Sequence, residues 1–233
     1  GFSIGWSKVP NSKALRFSAM SILNDIKGLF LPPVCPVCGG ELHEGEGAFC
    51  MMCRTLAPQT GFWRRADNPL AERLRNEFPI VQASAFLWFV AGSSWQRAIH
   101  GFKYYNRWRT ARDLGAWYGG NLADSGLYGS VDCIVPVPLH TRRLLARGYN
   151  QAAYIAEGIA SRMGVPVEDR VVRRLRNNPS QTTRSSAGRW ENVRDLFAVA
   201  RPGALAGRHV LLVDDVAVSY THLRAHETGR NLV

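Results

Sequence analysis

The apolar pattern becomes readable at Met20, where MSILNDIKGLFLPP spaces its hydrophobic residues as a short amphipathic helix and stops it at Pro32 and Pro33. Two cysteine pairs follow, so residues 20–57 read as one small unit. FWRRADNPLAERLRNEFP carries charge without a clear period, and 58–79 reads as an irregular linker. ASAFLWFV (83–90) is rich in aromatic and β-prone residues and predicts a strand. Over 94–105 and 109–123 the spacing turns helical, with Ile99 and Phe102, then Leu114 and Trp117, on apolar faces.

Beyond this the pattern alternates. VDCIVPVP (131–138) predicts a buried strand. Tyr149, Ala152, Ala153, Ala156 and Ile159 then recur at helical spacing and predict a helix reaching about Met163. VVRRL (171–175) predicts a second strand, 176–190 a polar loop, and RHVLLVDD (208–215) a buried strand ending in two acids. Strands alternating with helices predict an α/β domain over 80–217, with a mainly parallel sheet and helices on both faces. Residues 1–19 precede the first methionine and read as a non-native or disordered lead. The tail 218–233 has no apolar period and reads as non-native, a translated adapter joined to a truncated gene. His222 and His226 stand at i, i+4 there, a weak metal pattern.

Composition adds a chemical bias. The 233 residues are 46% hydrophobic, enough for one substantial core and a small appended unit, and the formal charge is +11. Between His140 and Asp195 eleven arginines face five acidic residues. Such a surplus suits phosphate-bearing partners, either nucleic acid or a polyphosphorylated small molecule, and is also what a solvated arginine-rich surface looks like. No apolar run approaches the roughly 20 residues of a membrane-spanning helix, no secretory pattern is visible, and cytoplasm is the expected compartment.

Cys35 and Cys38, then Cys50 and Cys53, form two Cys-x-x-Cys pairs eleven residues apart. Each such turn aims two sulfurs at one centre, and two turns complete a tetrahedron for Zn²⁺. Sulfur fills every position, so the expected role is structural. A pair of redox dithiols is the alternative, and His43 between them reads as a solvated loop residue. Cys133 sits in an apolar run and reads as a small buried hydrophobe.

Three further segments carry candidate chemistry. IVPVPLHTRRLLARGYNQA (134–152) runs from a strand through an arginine-rich loop into a helix, placing Arg142, Arg143 and Arg147 where an anion binds well. The loop 177–193 offers Gln181, Arg184 and Arg189. Asp214 and Asp215 end a strand, where paired carboxylates hold Mg²⁺ or ribose hydroxyls.

In this order the motifs resemble the ComF family of competence-associated, phosphoribosyltransferase-like proteins. The resemblance covers about Leu29 to Ala217. It rests on the Pro-Pro lead into the cysteine pairs, Phe102-Lys103-Tyr104, and VPVPL followed by Arg147-Gly148-Tyr149-Asn150-Gln151. Ser180-Gln181-Thr182 with Arg189 and Asn192, then VLLVDDV, complete it. It implies a type I phosphoribosyltransferase fold behind a zinc ribbon, with phosphoribosyl pyrophosphate (PRPP) and Mg²⁺ as ligands. Asp214 and Asp215 would contact the ribose, Arg142, Arg143 and Arg147 the diphosphate, and 177–193 would form a flap. After Val216 the family pattern expects small hydroxyl residues and a glycine, whereas this chain reads AVSYTHLRAHETGRNLV. Loss of that phosphate cradle predicts a chain that does not turn over PRPP. The alternative implied by the family is a DNA-uptake accessory protein that contacts single-stranded DNA.

Overall fold

The computed structural model describes residues 33–103, 107–175, 196–215 and 230–232. In chain order its elements are α1 (Met51–Thr55), α2 (Pro69–Arg75), β1 (Trp88–Val90), α3 (Ser94–Lys103) and α4 (Trp108–Asp124). There follow β2 (Cys133–Pro136), α5 (Thr141–Arg147), α6 (Gln151–Met163), β3 (Val172–Arg174), β4 (Phe197–Val199), β5 (Val210–Val213) and β6 (Arg230–Leu232).

The centre is a parallel pair. β2, buried at every position, runs beside β5 with Cys133 opposite Val210 and Pro136 opposite Val213. On its other side Ile134 forms a parallel bridge to Val167. Among the described residues the remaining pairs, β3–β4 and β1–β6, are antiparallel. The expectation of an α/β fold therefore stands in its coarse form, a mixed α/β fold with a small parallel sheet. The place of β3 is corrected. Instead of extending the parallel sheet it turns back on β4, where Ala200 N donates to Val171 O and Leu175 N to Leu196 O. An apolar run reports burial but not which neighbour takes its hydrogen bonds.

α4 and α6 pack backbone to backbone because glycines line their crossing. A Cβ on Gly115 would stand 2.2 Å from Ile155 O, and one on Gly158 would stand 2.0 Å from Arg112 O. Leu114, Leu122, Ala156 and Ile159 fill the interface and continue the core onto β2. Phe86 stacks on Tyr118 at 4.8 Å and meets Trp117 edge-on at 4.7 Å, and Phe49 reaches Trp95 at 5.3 Å. Through Phe49 the buried Cys35 and Cys53 join the same core.

Several boundaries differ from the sequence reading. The stretch 58–79 carries a 3-10 turn (Phe62–Arg64) and α2 instead of an irregular linker. Asn68 organises it: its Oδ1 accepts from Leu70 N and Ala71 N, and its Nδ2 donates to Ala83 O at 2.9 Å. With Pro69 in the first turn this is a regular helix start, but seven residues are too few to show a 3.6-residue period. Of 83–90 only β1 forms a strand, because the residues leading into it pair with 58–60: Thr60 N donates to Phe86 O, Gln59 bridges Leu87, and Trp88 N at the start of β1 donates to Pro58 O. In the tail, where no element is expected, β6 pairs antiparallel with β1, Trp88 opposite Leu232.

Candidate metal centre and anion pocket

The two cysteine turns converge. Gly39, at φ 77°, closes the first turn with its N–H on Cys35 O at 2.8 Å. Cys50 caps α1 and carries Cys53 one turn on. The four Sγ atoms lie within 4.8 Å of one another, with Cys38 and Cys50 Sγ 3.7 Å apart. A tetrahedral thiolate site with metal–sulfur bonds near 2.3 Å has edges of about 3.8 Å, so the thiols are spaced to hold one ion. Backbone amides already point at sulfur: Gly40 N to Cys38 Sγ at 3.4 Å and Cys53 N to Cys50 Sγ at 3.5 Å.

The electrostatics are those of a group that favours a cation. Burial pushes the Cys35 thiol up, but amides of Cys50, Cys38 and Val37 outweigh it and bring it down to about 7. Burial pushes Cys53 far up, and its three neighbouring sulfurs push it further. Without positive charge these thiols cannot all ionise together; a bound dication removes that conflict.

The second site lies at the carboxyl ends of β2 and β5. A cavity of about 190 Å³ is lined by Arg143, Arg147, Arg174, Gln151, Asp214 and Asp215, among others. Three of its lining residues, Arg147, Asn150 and Gln151, come from the Arg147–Gln151 run. Gly148, at φ 81°, ends α5 in the left-handed region that glycine alone enters freely. Asn150 caps α6, accepting from Ala152 N and donating to Val137 O at 3.0 Å, which pins the helix start to the end of β2. Tyr149 Oη donates to Phe102 O, and the buried Gln151 donates to the same oxygen at 3.4 Å while accepting from Arg147.

Arg142, Arg143 and Arg147 therefore stand on a helix, α5, where the sequence reads a loop. His140 Nδ1 accepts from Arg142 N and starts it. Seven residues bearing three arginines leave no apolar stripe to signal a helix, and none of them is buried. The helix divides the arginines: Arg143 and Arg147 line the cavity, while Arg142 is exposed outside it. Asp214 and Asp215 both reach it, and Asp214 Oδ1 accepts from Asp215 N at 2.8 Å. Gln181, Arg184 and Arg189 lie outside the described residues.

Arg174 is the member that sequence reasoning misses. It sits on β3, opposite in facing to the exposed Arg173, and the alternation within VVRRL was the available signal. Burial, then the like charge of Arg143, lowers its pKa, and Asp214 opposes that shift. Positive groups on one side and adjacent carboxylates on the other make a cavity suited to a ligand with both phosphate and hydroxyl groups.

These features define a mixed α/β protein with a cluster of four cysteines able to hold a metal ion and a charged pocket at the carboxyl ends of parallel strands. Its relatives bear out the ComF resemblance. Competence protein F of Haemophilus influenzae is 33% identical over 86 residues, 36% of this chain and 38% of that protein. DNA utilization protein YhgH of Salmonella typhimurium is 32% identical over 38% of each chain, so these two matches span well under half of either relative. YhgH of Escherichia coli K12 aligns more fully, 25% identical over 82% of this chain and 87% of that one. No protein-family model matches the chain. No solved structure matches it.

Proposed function

We propose that this chain is a zinc-stapled, phosphoribosyltransferase-like protein that binds PRPP or a nucleotide-like ligand in the service of DNA uptake or utilisation. The observation that carries the reading is the convergence of Arg143, Arg147 and Arg174 with Asp214 and Asp215 in one cavity at the carboxyl ends of β2 and β5. Open α/β sheets place their ligands there. The arginines would hold the diphosphate, and Asp214 and Asp215 would meet the ribose hydroxyls directly or through Mg²⁺, which, when bound, neutralises phosphate charge. Cys35, Cys38, Cys50 and Cys53 would hold zinc; the closed sulfur set leaves no position for a reacting water, so the metal serves folding. The DNA context comes from the names of the relatives.

PRPP with Mg²⁺ should raise the melting temperature of the full chain. Arg143→Ala should weaken that binding by roughly 10- to 100-fold, the effect of losing one charge-assisted hydrogen bond. Equal stabilisation of the wild type and Arg143→Ala would refute the assignment. Binding without turnover is expected, because Val216-Ala217-Val218-Ser219-Tyr220 has no glycine and sets the bulky Tyr220 where a phosphate cradle needs a small residue; pyrophosphate release by the purified chain would contradict this. The second reading, single-stranded DNA binding, rests on the +11 charge and those same names. It predicts oligonucleotide affinity that falls steeply with salt.

A further inference from the structure

The four clustered cysteines are not equivalent. Cys35 and Cys53 are buried, 0% and 8% exposed, and pack into the core with Phe49. Cys38 is exposed and Cys50 half-buried. Every pairing among the four except Cys38 with Cys50 therefore includes a buried cysteine. The Sγ atoms of that pair already stand 3.7 Å apart, and they belong to different turns. Cys133, fully buried in β2, lies outside the group.

Local contacts hold the outer pair in place. Gly40 N donates to Cys38 Sγ and Cys53 N to Cys50 Sγ. Glu46, in the loop between the turns, accepts from His43 N and Met51 N, both at 2.8 Å. Its carboxylate thus ties that loop to the residue after Cys50 and keeps the second turn beside the first. Oxidation of a cysteine follows its exposure as well as its thiolate character, and a metal-ligating sulfur is a thiolate. A disulfide is about 2.05 Å long, so an approach of about 1.7 Å closes the bond between these two sulfurs.

We propose that Cys38 and Cys50 form an oxidation site, where hydrogen peroxide makes a disulfide across the two turns that replaces zinc as the staple. The replacement rests on the zinc reading above. First the Cys38 thiolate attacks one peroxide oxygen: an S–O bond forms, the O–O bond breaks and hydroxide leaves. The Cys50 thiolate then attacks Cys38 Sγ: the S–S bond forms, the S–O bond breaks and a second hydroxide leaves. The sulfur pair gives up two electrons, peroxide takes them, and two protons turn the hydroxides into water. Cys35 and Cys53 alone do not complete a tetrahedron and let the ion go. Both stay in the core, and the new bond keeps the turns joined.

Hydrogen peroxide added to the full zinc-loaded chain, with a chromogenic chelator reporting free zinc, tests this. One zinc per chain should be released as two of the five thiols are lost, and reductant with added zinc should restore both. Remaining thiols are alkylated before reduction and the newly freed ones after it with a second reagent. Tandem mass spectrometry should then place the reducible pair at Cys38 and Cys50. The oxidised chain should also melt at a higher temperature than the same chain stripped of zinc and kept reduced. A reducible pair within either turn, sulfinic acid in place of a disulfide, zinc retained once the pair has formed, or an oxidised chain melting no higher than the stripped one would overturn the proposal. A chain that binds no zinc yet forms the Cys38–Cys50 bond would refute the metal reading and leave the oxidation site standing.

Discussion

Cys53, like Cys35, couples the cysteine cluster to the core. It is buried and belongs to the cluster that includes Phe49, Trp95 and Leu114, whereas Cys38 is exposed. Structural zinc contributes roughly 10–16 kcal/mol in finger peptides, comparable to the whole stability of a domain. Cys53→Ser should therefore reduce zinc from one per chain to near zero. It should also change tryptophan emission, because Phe49 packs on Trp95 and lies 6.3 Å from Trp117. Metal analysis alongside fluorescence checks both, and full zinc retention would show that the four sulfurs do not act as a set. At the anion pocket single positions divide what sequence treats alike: on one turn of α5, Arg143 faces the cavity and Arg142 faces solvent. Arg142→Ala should leave PRPP-induced stabilisation nearly unchanged.

Between elements, the crossing of α4 and α6 depends on missing side chains. Gly158→Ala would place a methyl 2.0 Å from Arg112 O and 2.6 Å from Ala116 N, backbone atoms that cannot step aside singly. Relief requires the helices to part, and a loss of 4 kcal/mol or more, on the order of the largest single-residue effects, is expected. Gly120 lies on the same helix α4, where a methyl added by alanine would meet nothing within 4 Å and the φ is an ordinary helical one. Gly120→Ala should stabilise by about 0.5–1 kcal/mol through helix propensity. Thermal unfolding followed by circular dichroism compares them, and similar effects from both substitutions would mean the helices are not in backbone contact. The crossing bears on the sites as well. α6 begins at Gln151, so any displacement along it moves Gln151 at the anion pocket and with it the partner of Arg147.

Over the whole molecule, alkaline stability follows from the buried tyrosines. Burial raises Tyr118 well above the ordinary phenol value and raises Tyr128 and Tyr149 in the same direction. Unfolded, these phenols lose their protons near pH 10; folded, they keep them to higher pH. Above pH 10 the unfolded chain binds fewer protons, so the stabilisation is fully present below pH 10 and falls as the pH rises beyond it. The slope is up to about 1.4 kcal/mol per pH unit for each such group. Chemical denaturation between pH 8 and 11 should show this decline, and Tyr118→Phe should make it shallower. No helix among the described residues is long and apolar enough to cross a membrane.

Where a signal is local, the order of residues was enough. Cys-x-x-Cys spacing settles which sulfurs pair within each turn, since each turn spans four residues and needs no distant partner. The alternation of VDCIVPVP, the helix ending near Met163 and VLLVDD implied a parallel sheet, of which the structure pairs β2 with β5, and put Asp214 and Asp215 at the end of a strand. The run Arg147-Gly148-Tyr149-Asn150-Gln151 was legible as a motif, though not why: it ties α6 to Val137 and Phe102 through side-chain hydrogen bonds. Folding in three dimensions was needed to make α5 a helix, to turn β3 back on β4, and to bring Arg174 to Arg143 beside Asp214. It alone buried Cys35 and Cys53 and left Cys38 and Cys50 as the outer pair. These cases share a cause. A short element has too few residues for a period, and a strand's partner, like a side chain's burial, is set by chain segments far apart in sequence, where no local pattern records the contact.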